Sequence, residues 1–86
     1  MKITKNIVKV EIIEFFRKRG FKKINFLDNK LDLIKDEIMD SIDFLNLISA
    51  LENKFKIKID LSMVNPKVLS KISKLSAMIL NNSKKK

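Results

Sequence analysis

Apolar residues recur at helical spacing in the first segment of the chain, from about Thr4 to Arg19. They fall on two faces of the predicted helix, the first with Val8, Ile12, Phe15 and Phe16 and the second with Ile3, Ile7 and Val10. So broad an apolar surface predicts a heavily buried helix. The only glycine, Gly20, follows directly and predicts a helix end in the left-handed conformation.

The second helix has the clearest pattern in the chain and should run from Ser41 to about Phe55. Its apolar stripe follows an i, i+3, i+4, i+7, i+11 series, namely Phe44, Leu47, Ile48, Leu51 and Phe55. Residues 21–40, before it, lack a sustained period and predict a long loop pinned to the core by its spaced apolar residues. These are Phe21, Ile24, Phe26, Leu27, Leu31 and Leu33. A loop of this length in a small domain is usually functional or packed.

The last third of the chain predicts a connector and a closing helix. The alternation in "KIKIDLSMV" resembles a strand, but no partner strand is evident, and we interpret it as an extended connector. Asn65 before Pro66 is a good N-cap and first-turn pair, so "NPKVL" should form one short turn of helix. Helical spacing then predicts a final helix from about Lys71 to Leu80, on the repeat Val68, Ile72, Leu75 and Ile79.

The predicted fold class is therefore all-α. We expect a small four-helix bundle, with three main helices, a short third helix and a long loop between helices 1 and 2. Residues 1–80 should form a single domain, and residues 81–86 a basic, disordered tail.

Composition narrows the class of protein. The 86 residues make one small domain, and 45% of them are hydrophobic, which is enough to bury a core. The absence of Cys excludes disulfides and thiolate metal sites, and the absence of His removes the commonest general base and metal ligand. We therefore expect neither an independent enzyme with catalytic residues nor a metal site. No stretch resembles a signal-peptide core or a membrane span, so we expect a cytoplasmic location without stable membrane insertion.

The formal net charge of +9 raises the alternative of a small nucleic-acid-binding helical module, since clustered Lys and Arg neutralise phosphates. The lysines, however, are spread over both ends and the loops, and the only arginines are Arg17 and Arg19. All six aromatic residues are Phe, at positions typical of a core, so no Tyr or Trp offers a stacking platform. Specific nucleic-acid binding is therefore not expected.

One stretch of this basic chain is acidic. The sequence "DEIMDSIDFLNLISALE", residues 36 to 52, holds five acidic side chains and neither Lys nor Arg. Four of them cluster around Ser41, and the fifth, Glu52, extends the acidic character along the helix; the four are Asp36, Glu37, Asp40 and Asp43. Acids near a helix N-terminus are favoured by the helix dipole, which explains part of the cluster.

Ser41 has a structural interpretation and a functional one. Structurally, it is predicted to be the N-cap of the second helix, because a Ser hydroxyl readily accepts a bond from a free N–H of the first turn. Ile42, the next residue, favours a functional interpretation because it lies opposite the apolar stripe. It sits beside three polar residues, Asn46, Ser49 and Asn53. A branched apolar side chain there should be exposed, and contact with a partner would give it a use.

The segment "DLIKDEIMDSIDFLNLISALENKFKIKID" resembles the acyl carrier proteins and the related peptidyl and aminoacyl carrier domains. The signature of that family is Asp-Ser-Leu or Asp-Ser-Ile at the start of the second helix, then a striped helix ending near "LEXXF" and an "I-X-I" connector. Here "DSI", "LENKF" and "IKI" appear in that order. The similarity continues into "NPKVLSKISKLSAMI", so the resemblance implies a four-helix bundle of acyl-carrier type and covers nearly the whole chain.

The resemblance implies a post-translational modification. A phosphopantetheinyl transferase would place 4′-phosphopantetheine from coenzyme A on the Ser41 hydroxyl, and the arm's thiol would carry an acyl or aminoacyl group as a thioester. By the same analogy, Asp40 helps recognition by the transferase, and Ile42 makes the apolar contact with partners. Asp43 and Glu52, with Glu37 in the same acidic cluster, meet basic patches on acyl- or aminoacyl-loading and acyl-transfer enzymes.

Four apolar residues are expected in the core, and in the family the equivalent positions can shelter a bound acyl chain: Leu47, Leu51, Ile59 and Leu69. The chain also departs from the family. It is basic where most members are acidic, and Glu37 and Ile38 stand where a Gly is usual. The carrier could act in a fatty-acid pathway or in a specialised lipid or secondary-metabolite pathway. These departures from the family favour the specialised pathway. We expect a monomer. Besides the carrier protein and the nucleic-acid-binding module, a third hypothesis is a helical adaptor that keeps this fold without modification.

Overall fold

The structure, a computed structural model, describes residues 2–28, 30–60, 62 and 64–83. It contains three α-helices: α1 (Lys5–Lys18), α2 (Ser41–Phe55) and α3 (Ile72–Ser83). No strand occurs in the described ranges, and α1 packs against both other helices. The all-α prediction is confirmed, and α2 has the predicted bounds.

The ends of α1 follow from local sequence. Thr4 is the N-cap, and its Oγ1 accepts a hydrogen bond from the Ile7 N–H at 3.3 Å. After the helix, Gly20 adopts φ +103°, the left-handed conformation predicted for it. The Phe21 N–H then donates to the Phe16 carbonyl at 3.1 Å, and their rings lie 6.3 Å apart edge to face. This pairing is a Schellman ending with its usual apolar contact, and it fixes where the loop leaves α1.

The long loop contains one helical turn that the sequence pattern did not predict. The Asp36 N–H donates to the Asp32 carbonyl at 2.8 Å, and the turn ends at Glu37, which has φ +60°. The N–H groups of Ile38 and Met39 both donate to the Leu33 carbonyl at 2.9 Å. This turn, residues 33–37, places the chain directly before α2. We refer to it below as the loop turn.

The predicted short third helix is a single turn, so the described ranges hold the three main helices expected and one short helical turn before α3. The Leu69 N–H donates to the Asn65 carbonyl and the Lys67 N–H to Asn65 Oδ1, both at 3.0 Å, which confirms Asn65 as the cap of this turn. Leu61 and Met63 lie outside the described residues.

The last helix continues further than predicted. It runs through Ser83, three residues past the expected end at Leu80, and the Ser83 hydroxyl donates to the Leu80 carbonyl at 2.7 Å. The part of the expected tail at residues 84–86 lies outside the described residues.

The core confirms the apolar stripe of α2, since all five of its residues are buried. Three other expectations of burial are wrong. Val10, on the second apolar face of α1, is 55% exposed, although Ile3 and Ile7 on the same face are half-buried against the core. Leu27 in the loop is 79% exposed, and Val68, at the start of the predicted closing repeat, is 55% exposed because it precedes α3.

Candidate functional site

The α2 N-terminus is capped by Asp40, not by Ser41 as predicted. Asp40 has extended backbone angles, φ −107° and ψ −172°, and its Oδ1 accepts the Asp43 N–H at 2.8 Å. Asp43 Oδ2 in turn accepts the Asp40 N–H at 3.3 Å, which completes a reciprocal capping box. The prediction failed because Ser41 already has helical geometry, and an acid three residues after Asp40 was the sequence signal for this box.

This capping leaves the Ser41 hydroxyl free of a helix-capping role. Ser41 is the first residue of α2, and it is exposed. Its Oγ is therefore accessible to a second protein, while the first turn is already held by its neighbours. The helix dipole and the unbonded N–H groups of a first turn make this position favourable for an anion.

An ion pair connects the end of α1 to the same turn. Arg19 Nη2 lies 3.1 Å from Asp43 Oδ1, and the Arg19 guanidinium carbon lies 4.9 Å from the centre of the Phe15 ring. Both contacts hold the Arg19 side chain over the α1–α2 junction. Sequence reasoning did not assign this residue to the site, because Arg19 and Asp43 are 24 positions apart and give no local signal of contact.

An open groove runs beside Ser41, between the first turn of α2, the loop turn and the end of α1. Its lining combines apolar and acidic residues: Phe21, Ile34, Glu37, Ile38, Met39, Asp40, Ser41 and Asp43. Phe21 and Ile34 are half-buried, whereas Ile38 and Met39 are buried. We call this feature the Ser41 groove. Three of the predicted site residues besides Ser41 meet in it, namely Glu37, Asp40 and Asp43.

Ile42 lies on the outer face of α2, as predicted. Its side chain is 70% exposed, and Leu45, one turn further along, is 48% exposed. The pair forms an apolar patch on the helix that also exposes Asn46, Ser49 and Asn53. Sequence analysis missed Leu45, although the same helical wheel that exposes Ile42 places Leu45 outside the buried stripe.

Glu52 lies apart from the other predicted acidic residues. It is eleven residues after Ser41, about 16 Å along the helix axis. Its side chain is half-buried, and Glu52 Oε2 accepts the Ile59 N–H at 2.8 Å. The Glu52 carbonyl also accepts the Ile57 N–H at 3.1 Å, where the chain turns at left-handed Lys56. In this structure the residue holds the connector against the end of α2.

Three of the four residues considered for an acyl pocket belong to the interior, and the fourth packs against it. Leu47, Leu51 and Ile59 are buried, and Leu69 is half-buried against the same core. A cavity lined by Leu47 and Leu51 lies between α1 and α2, and neither Ile59 nor Leu69 lines it. The core prediction is confirmed for the three buried residues, Leu69 packs against the core only partly buried, and the structure does not gather all four around that cavity.

Hydrogen bonds also favour the ionised form of Asp32, whose carboxylate lies at the start of the loop turn that lines the Ser41 groove. The Lys35 N–H, with the Ser70 hydroxyl and the Ile34 N–H, holds the pKa of Asp32 below its ordinary value. Asp32 Oδ1 lies 3.0 Å from the Lys35 nitrogen and 3.1 Å from the Ile34 nitrogen. The neighbouring Leu33 N–H donates to the Ser70 carbonyl at 2.7 Å. These bonds fasten the loop turn to the segment before α3.

Two further properties of the described residues bear on function. No group of three or more Asp, Glu, His or Cys within them is arranged to hold a metal ion. Of the three helices, none is long and apolar enough to span a membrane.

Comparison with protein families gives a match over most of the site. The model of a protein family described as "Phosphopantetheine attachment site" matches residues 28–79, more than half of the chain. The matched range contains the loop turn, the Ser41 groove except for Phe21, all of α2 and most of α3. Neither a curated protein nor a solved structure matches the chain.

Proposed function

Because the chain belongs to the family defined by a phosphopantetheine attachment site, we propose that it is a carrier protein whose Ser41 bears the 4′-phosphopantetheine arm. The domain of this family is the site of covalent attachment of that group. When bound, the arm supplies a terminal thiol that holds an acyl or aminoacyl cargo as a thioester.

The observation that carries the proposal is that Asp40 and Asp43, and not Ser41, cap the N-terminus of α2. Asp40 and Asp43 cap the helix through their carboxylates, so the Ser41 hydroxyl is free to react without loss of the cap. Ser41 is exposed, lies within the range matched by the family and follows Asp as in the family signature. Modification joins Ser41 Oγ to the phosphorus of the phosphopantetheinyl group. It displaces adenosine 3′,5′-diphosphate from coenzyme A and passes the hydroxyl proton to a base of the transferase.

The outer face of α2 supports a role in docking. Ile42 and Leu45 offer an exposed apolar patch, and Asp40, Asp43 and Glu37 surround the adjoining Ser41. Such a surface suits a phosphopantetheinyl transferase and acyl- or aminoacyl-transfer enzymes that present an apolar pocket with a basic rim. Screening limits charge interactions to about 8 Å at physiological salt, so partners would sense these carboxylates more than the net charge of +9. Glu52 would extend this acidic surface along α2, in addition to its bond to the connector.

The setting we propose is acyl transfer in a fatty-acid pathway or in a specialised lipid or secondary-metabolite pathway. Polar residues stand on the exposed face of α2, with Asn46 and Asn53 where fatty-acid carriers often have acids. This difference favours dedicated partner enzymes. The monomeric state and the cytoplasmic location stay predictions.

The test is modification of the purified protein by a broad-specificity phosphopantetheinyl transferase with coenzyme A. We expect the intact mass to rise by one phosphopantetheine and one reactive thiol to appear per chain, since the chain itself has no Cys. Ser41→Ala should abolish both changes, whereas Ser49→Ala, at another exposed Ser of α2, should leave them intact. Failure of several such transferases to modify the folded protein, or modification of the Ser41→Ala variant, would contradict the proposal.

A further inference from the structure

We propose that the Ser41 groove seats the first segment of the prosthetic arm, with the dimethyl-bearing carbon of the arm against Phe21 and Ile34. This inference rests on the proposed attachment at Ser41. It assigns the arm to a surface between α2 and the loop turn, outside the helical core in which Leu47 and Leu51 are buried.

The position of Ser41 is the first argument. Ser41 is itself part of the groove lining, so a group bonded to its Oγ begins at the groove wall. A tethered group has a high effective concentration at a neighbouring surface, on the order of millimolar for a short flexible linker. Weak apolar contacts are therefore enough to bias where the arm rests.

The chemistry of the lining is the second argument. A phosphopantetheine arm begins with a phosphodiester anion and continues with a carbon that carries two methyl groups. Phe21 and Ile34 are only half-buried, so each has apolar surface left to cover within the groove. Covering such surface is favourable, by roughly 25 cal/mol per Å² of apolar area removed from water.

Charge at the groove is the third argument. Glu37, Asp40 and Asp43 all line it and would repel a phosphodiester on Ser41. Arg19 offsets part of this repulsion, because its guanidinium lies 3.1 Å from Asp43 Oδ1. The positive end of the α2 dipole acts in the same direction. Arg19 is thus a positioning residue for the arm, held in place by its contact with the Phe15 ring.

The groove is also preformed, which lowers the entropic cost of holding the arm. Phe21 is fixed by its N–H bond to the Phe16 carbonyl, and Met39 by its N–H bond to the Leu33 carbonyl. Leu33 is bound in turn to Ser70. An arm seated here leaves Ile42 and Leu45 exposed, because neither residue lines the groove. The docking patch therefore remains available to partners while the arm rests.

Nuclear magnetic resonance of the modified protein, with the arm labelled with ¹³C, tests the seat directly. We expect nuclear Overhauser contacts from the two arm methyl groups to the Phe21 ring and the Ile34 methyls, and shifts of both residues on modification. Contacts to Leu45 or Val68 instead, or arm signals like those of free pantetheine, would overturn the inference while leaving attachment at Ser41 intact. Absence of modification would refute the proposed function and this inference together.

Variants with matched controls sharpen the result. Ile34→Ala should weaken the arm contacts, whereas Leu27→Ala, at an exposed loop residue outside the groove lining, should not change them. Arg19→Gln should move the ³¹P signal of the modified protein, whereas Arg17→Gln removes the same charge from the outer face of α1 and should leave the signal in place. An equal response to the two arginine changes would overturn the role given to Arg19.

Discussion

Arg19 and Asp43 join the end of α1 to the first turn of α2 through a contact of 3.1 Å between Nη2 and Oδ1. Asp43 is also the second partner of the capping box, so one carboxylate both closes the helix end and receives the arginine. The turn that presents Ser41 is therefore held from its own helix and from α1. A serine on a fixed turn can be presented to a second protein without first being ordered.

We expect Arg19→Gln to lower the free energy of unfolding by about 0.5–1.5 kcal/mol, the sum of a part-exposed ion pair and a cation–π contact. Arg17→Gln is the matched control. The Arg17–Glu14 pair is longer, at 3.7 Å, and more exposed, so this change should cost at most about 0.5 kcal/mol. Urea unfolding at low and high salt measures both. An equal effect of the two substitutions would contradict the coupling of Arg19 to the α2 turn.

The assignment of the α2 cap predicts different results at two neighbouring positions. Asp40→Ala should lower the free energy of unfolding by about 1 kcal/mol, because it removes the acceptor of the Asp43 N–H. Ser41→Ala should change stability by only about 0.5 kcal/mol or less, because Ser41 does not cap the helix. Thermal and urea unfolding of the unmodified protein check this pair. A larger loss for Ser41→Ala than for Asp40→Ala would refute the cap assignment.

The left-handed backbone at Glu37 predicts a stabilising substitution. Glu37→Gly should raise the free energy of unfolding by about 0.5–1 kcal/mol, since relief of a left-handed residue outweighs the greater freedom of Gly in the unfolded chain. Lys35→Gly, two residues earlier and without a positive φ, should lower it by about 0.5–1 kcal/mol. Denaturant titration measures the free energy of unfolding of both variants. A loss of stability in Glu37→Gly would contradict the inference that the left-handed backbone strains Glu37.

Asp32 predicts a loss of stability in acid. Its pKa in the folded protein is lowered, first by the Lys35 N–H and then by the Ser70 hydroxyl and the Ile34 N–H. The stabilisation is therefore fully present above the ordinary carboxyl pKa of 3.8 and is lost as the pH falls below that value through the lower folded pKa. Unfolding measured from pH 6 to about pH 2 should show this decline. Asp32→Asn should flatten it, and an identical pH dependence in that variant would rule out Asp32 as a source.

Because Ile42 is exposed, we expect its substitution to weaken docking of partner enzymes without changing the fold. Ile42→Ala should lower kcat/KM of the transferase by roughly 5- to 30-fold, the effect of losing about 1–2 kcal/mol at an apolar contact. Val10→Ala removes a similarly exposed side chain from α1 and should leave the rate unchanged. Equal rates for the two variants would place the docking contact away from the outer face of α2.

Features that depend on neighbours in the chain were accessible to sequence analysis. The buried stripe of α2, the left-handed Gly20 and the exposure of Ile42 all follow from helical geometry or from backbone preference within a few residues. The capping box of Asp40 and Asp43 belongs to the same class, since its residues are three apart, although the presence of Ser directed the prediction to Ser41.

Only the tertiary structure decided which surfaces meet. The pattern of apolar residues in α1 predicted burial of two faces, but on the second face Ile3 and Ile7 are half-buried against the core while Val10 is exposed. The Ser41 groove needs Phe21, Ile34 and Ser41 to converge from the end of α1, the loop turn and α2, and Arg19 reaches Asp43 across 24 residues. The sequence by itself determined the helices, because these depend on local spacing, and its resemblance to carrier proteins led to the proposal for Ser41. Contacts between distant residues depend on how the helices pack, which local spacing does not encode.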